Sequence, residues 1–143
     1  MNLQRLIDSI KKHEGHSPYL YKDSENVETI GYGFAIRHLT LEVDVSSIIL
    51  ERKILHLVVD CYTLFPWLSS MPALVQETII EMAYQIGLHG LSKFVKTISY
   101  LKSNDWDKAS EEMLNSKWAS QSINRAKELS NRIASLEDGN RDG

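Results

Sequence analysis

A single cysteine, Cys61, in 143 residues excludes an intramolecular disulfide framework and any structural zinc site built from several thiolates. The fold must be held by its apolar core. No run approaches the ~20 apolar residues that cross a bilayer, so stable membrane insertion is not expected. The opening Met-Asn-Leu-Gln-Arg-Leu-Ile-Asp lacks the apolar stretch of a secretory signal, and synthesis in a cytoplasm is expected. Positive charge is short as well: sixteen Lys and Arg against nineteen Asp and Glu leave −3, too little to gather phosphate backbones. No nucleic-acid partner is expected. Three prolines and seven glycines are too few for a linker-rich chain, and no repeat appears. What is left, 43% hydrophobic and 24% charged, is the profile of one compact domain, and nothing in it suggests more than a monomer.

Leu3, Leu6, Ile7 and Ile10 recur at i, i+3, i+4 and i+7, which predicts a helix over 3–13. Asn2 is placed to cap it, Lys11, Lys12 and His13 suit its last turn, and Gly15 stops it. From Ser17 to Ile36 the strand formers Tyr19, Tyr21, Val27, Thr29, Ile30, Tyr32 and Phe34 predict a small antiparallel sheet with a turn at Asp23 to Asn26. Beyond Thr40 the helical period returns. Val45, Ile48, Ile49, Arg52, Leu55 and Val59 predict one long helix ended near Pro66. Pro72 opens another with Val75, Ile79, Met82 and Ile86 on its apolar face, and Gly87 and Gly90 bracket a tight connection. Leu91–Leu101, Asp105–Asn115 and Gln121–Leu136 read as three further helices, ahead of a polar tail at 137–143 that is expected to fray. The chain is thus predicted to be one α+β domain spanning 1–143. A small sheet lobe at about 14–40, with helix 3–13, faces a larger helical lobe at about 44–136 across a cleft.

Glu14 ends the first helix, Asp23 sits at the hairpin turn, and Thr29 lies on the returning strand ahead of Gly31, Tyr32 and Gly33. A carboxyl at a helix C-terminus meets the negative end of the dipole, which favours its protonated form, whereas Asp23 in an open turn is expected to stay ionised. One proton donor and one carboxylate, with Thr29 to hold a water, are the equipment of glycoside hydrolysis. Each residue has a plainer role too: Asp23 as a turn former and Thr29 as a strand residue. His13-Glu14-Gly15-His16 spaces its histidines at i, i+3 across a helix stop, not at the i, i+4 of a zinc-protease helix, so no metal or cofactor is expected.

Glu14-Gly15, Tyr21-Lys22-Asp23 and Thr29-Ile30-Gly31-Tyr32-Gly33 together resemble the active-site signature of the phage-type lysozymes, glycoside hydrolase family 24. Met82-Ala83-Tyr84-Gln85-Ile86-Gly87, Trp106-Asp107-Lys108-Ala109, Ser116-Lys117-Trp118 and Asn124-Arg125-Ala126 extend the similarity in order, from about Leu3 to Ile133. The resemblance implies a lysozyme-like two-lobed fold and a muramidase. Its substrate would be peptidoglycan, cut at the β-1,4 bond between N-acetylmuramic acid and N-acetylglucosamine with inversion, by carboxyls roughly 6.5–9.5 Å apart. It implies Glu14 as general acid, Asp23 as the water-positioning carboxylate and Thr29 as the residue assisting that water. Tyr84, Gln85 and Phe34 would contact substrate, with Gly31, Gly33 and Arg125 supporting, the arginine by pairing with Glu14. Glu25 and Lys117 match a pair that bridges the lobes, and Trp118 is expected in the core.

The setting implied is an endolysin of a phage or prophage. It would be made in the bacterial host cytoplasm and reach the periplasm or cell wall through a lesion opened by a holin-type pore protein. Between Gly33 and the long helix the chain is shorter than well-known members, which trims the sheet lobe. That departure leaves a second expectation open: a lysozyme-like domain that binds glycan or a protein partner without turnover.

Overall fold

The structure, a computed structural model, describes residues 1–141. The chain forms two compact units, residues 1–47 and residues 48 onward.

The first unit opens with α1 (Leu3–Glu14), whose N-terminus is capped as the sequence predicts: the Arg5 N–H donates to Asn2 Oδ1 at 2.9 Å. Gly15 ends it at φ 67, donating its N–H to the Lys11 carbonyl at 2.9 Å, which makes Glu14 the last helical residue. β1 (Ser17–Lys22), β2 (Glu28–Gly31) and β3 (Phe34–Ala35) follow as an antiparallel sheet in the order β1-β2-β3. Tyr21 lies opposite Thr29, and Thr29 opposite Ala35. The β1–β2 turn closes where the Asn26 N–H donates to the Asp23 carbonyl at 2.9 Å, with Asn26 in the left-handed region at φ 64. Of the residues in this unit only Thr29 is buried, as befits three short strands with no core of their own.

The second unit holds the core. α2 (Val43–Leu64) runs into it, followed by a 3-10 turn at Pro66–Ser70, then α3 (Ala73–Ser92), α4 (Val95–Lys102), α5 (Trp106–Leu114), α6 (Lys117–Gln121) and α7 (Ile123–Arg141). α5 packs against α4 and α7, and Leu68, Ile79, Met82, Leu91, Leu101, Trp106, Met113, Leu129 and Ile133 are fully buried. Each such aliphatic side chain removed from water contributes about 1.5–3 kcal/mol, which is what lets this unit cohere without cross-links. Trp118 joins the core at 6% exposure, as predicted. Cys61 is buried, and burial beside Asp60 pushes its thiol up to about 11, so it is a small apolar filler at neutral pH.

The long helix forms, with Val45, Ile48, Ile49, Leu55 and Val59 exposed along it, and three other sequence expectations are corrected. α2 carries apolar residues almost all the way round, so periodicity cannot single out a stripe. The helix meets the core only near its C-terminal end, through Leu57, Cys61 and Tyr62. Gly87 alone, at φ 77, kinks α3, and Gly90 continues the helix beyond it. The three predicted C-terminal helices are four, because Ser116 caps the short α6, accepting from the Ala119 N–H at 3.1 Å. The predicted tail at 137–143 continues the α7 backbone through Arg141, and its last two residues lie outside the described range. Among the described residues no helix is long and apolar enough to cross a membrane.

Candidate active site

Glu14, Asp23 and Thr29 all belong to the first unit. Glu14 is exposed at the end of α1, and its carboxyl lies directly over Gly33. A β-carbon at Gly33 would stand 2.9 Å from Glu14 Cδ and closer still to Oε2. Gly33 sits at φ 74, so two requirements meet at this position: a left-handed backbone, and room for the acid. Gly31 plays the parallel part at φ 69, where a β-carbon would fall 2.7 Å from Phe34 Cδ2. The half-exposed Phe34 ring therefore rests on the Gly31 backbone.

Asp23 Oδ1 accepts from the Glu25 and Val27 N–H groups, both at 2.9 Å, which fixes the carboxylate and leaves Oδ2 for other work. Asp23 is thus both turn former and candidate carboxylate. Thr29 is 4% exposed, and its hydroxyl donates to the Val27 carbonyl at 2.8 Å. With its proton committed, Oγ1 faces any further partner as an acceptor. Beside Glu14 opens a hollow of about 330 Å³ lined by Glu14, Gly15, His16, Ser17 and Tyr21.

The remaining expected residues lie elsewhere. Glu25 stands in the hairpin turn of the first unit, and Lys117 begins α6 in the second. Gln85 is held at both ends of its amide, accepting from Trp118 Nε1 and donating to Ser122 Oγ, both at 2.8 Å. Tyr84, 48% exposed, shares a hollow of about 530 Å³ with Arg125, Glu81 and the apolar Leu50, Ile54, Val58 and Ile80. Arg125, expected to pair with Glu14, has its partner within the second unit: Nε donates to Glu81 Oε2 at 2.9 Å. Glu81 lies in the turn of α3 just before Tyr84, so the ion pair is set by where α7 crosses α3, a distance of 44 residues that no local spacing reveals. Both partners are about two-fifths exposed, and such a pair contributes at most ~1 kcal/mol. A further hollow of about 470 Å³, near Phe94 and Trp118, contains neither carboxylate of the first unit.

The crowding at Gly33 has a measurable outcome. Gly33→Ala costs about 1–2 kcal/mol of stability from the left-handed backbone. The exposed Glu14 side chain swings aside cheaply, so the loss is that of the backbone, and thermal denaturation of Gly33→Ala beside wild type measures it; an unchanged Tm overturns the account.

The family model described as Phage lysozyme matches residues 11–135. The curated protein "Probable T4-type lysozyme 1" of Dictyostelium discoideum is 28% identical over 161 aligned positions, covering 92% of this chain and 92% of its own length. "Probable T4-type lysozyme 2" of the same organism is 26% identical, again over 92% of each. A match that begins in the last turn of α1 and runs on into α7 takes in both units, and the chain belongs to the phage lysozyme family, whose α+β T4-type fold it carries.

Proposed function

We propose that the protein is a muramidase, hydrolysing the β-1,4 bond between N-acetylmuramic acid and N-acetylglucosamine in peptidoglycan with inversion. One observation carries the reading: the Glu14 carboxyl is seated over Gly33 in the same unit as a backbone-anchored Asp23 and an acceptor-facing Thr29, in a chain of the lysozyme family. Glu14 gives its proton to the glycosidic oxygen as the bond to the anomeric carbon breaks. A water donating to Asp23 Oδ2 and to Thr29 Oγ1 attacks that carbon from the opposite face, and its proton passes to Asp23. Glu14 then regains a proton from solvent as Asp23 releases the one it took. The aromatic faces of Tyr84 and Phe34, together with Gln85, serve substrate binding, and neither step calls for a metal or cofactor. In the lytic setting the enzyme acts on the wall of a bacterial host after release through a pore-forming partner.

Incubation with purified bacterial cell walls tests the chemistry. Turbidity falls, new reducing ends appear, and proton NMR of fresh product shows the α-anomer first. No new reducing ends, with the walls merely bound, establishes instead the glycan-binding domain without turnover; the β-anomer appearing first rejects inversion.

A further inference from the structure

Within the first unit no hydrogen bond or ion pair holds the Glu14 carboxyl, so its contact with Gly33 bears directly on where the exposed side chain sits. That contact lasts only while the loop Gly31–Gly33 stays against the end of α1. Pairing of Ser17 with Gly31 and of Ile30 with Phe34 ties the strands on either side, but the loop's own side chain is Tyr32. Two groups hold its ring, one on each side of Glu14 in the sequence. Lys11, one turn earlier on the same helical face, places Nζ 5.3 Å from the Tyr32 ring centroid, and the His16 ring lies 4.9 Å from it at 56°.

We propose that Tyr32 is a positioning residue for Glu14: its ring, clasped by Lys11 and His16, pins the glycine loop to the helix end and so fixes the acid. The ring makes the clasp, through its face and edge, while the hydroxyl is incidental. The assignment rests on the muramidase reading for its catalytic consequence, though not for the geometry itself.

Tyr32→Leu lowers kcat by about 10-fold with KM within about 2-fold, because positioning acts on the reacting geometry and not on substrate affinity. Tyr32→Phe keeps the ring and restores kcat to within about 2-fold. Unchanged kcat in the leucine variant, a rise confined to KM, or equal loss in both variants overturns the proposal. Should Tyr32→Leu fail to fold, the exposed Lys11→Met decides: kcat falls by about 3-fold, and a wild-type value overturns the clasp. If the wild-type protein proves inactive on cell walls, the muramidase reading fails by itself. The clasp is then judged by the nuclear Overhauser contact between Glu14 Hγ and Gly33 Hα, present in wild type and Tyr32→Phe and lost in Tyr32→Leu; its persistence in the leucine variant refutes the clasp.

Discussion

Glu14→Gln slows cell-wall hydrolysis by at least ~100-fold, the lower bound of what a positioned general acid contributes, and leaves the protein folded. Glutamine matches glutamate in shape and keeps its seat over Gly33, while the amide cannot deliver a proton to a leaving oxygen. The folded state has little to lose. Within the first unit the carboxyl has no hydrogen-bond partner, and the side chain is exposed, so thermal stability shifts by no more than ~0.5 kcal/mol. A rate collapse with unchanged Tm assigns the residue to chemistry. Equal clearing by the two proteins removes Glu14 from the mechanism and the muramidase reading with it.

The parts of this molecule that sequence discloses are those fixed by neighbours along the chain. Asn2 caps α1, Gly15 ends it on Glu14, and Asp23 closes a short turn, each within a few residues of its partner. The composition of Ser17 to Ile36 announces strands, and their pairing places Thr29 beside Ala35 and Tyr21 without further information. What sequence conceals depends on distant parts of the chain or on crowding. Arg125 meets Glu81 because α7 returns to α3, and a charge pattern alone offers several acids for one guanidinium. The inward side of α2 is set by what lies beside its C-terminal end, so the spacing that announces the helix does not say which of its apolar residues are buried. The seat of the Glu14 carboxyl is of the same kind. Two glycines flanking one aromatic residue, after a cation a turn ahead of the acid, are visible as letters, but only the folded loop shows that the space above Gly33 is occupied.

Asp23→Asn separates two roles that one residue fills, and its expected effect is as large as that of the acid: about a 100-fold fall in kcat, within the range of general base catalysis. The hairpin survives the exchange. An asparagine Oδ1 accepts from the Glu25 and Val27 N–H groups as the carboxylate does, and asparagine suits such turns equally well. What disappears is the charge on the second oxygen and its capacity to take a proton from water. Asp23→Ala removes the turn bonds as well, costing about 1–3 kcal/mol for two hydrogen bonds at roughly 0.5–1.5 kcal/mol each, so its loss of rate mixes disorder with chemistry. The asparagine variant therefore decides. If Asp23 only shapes the turn, Asn restores full turnover and the alanine variant alone is impaired. If it positions and deprotonates the attacking water, both variants fall together in kcat while only alanine loses stability, and initial rates beside thermal denaturation distinguish the two outcomes.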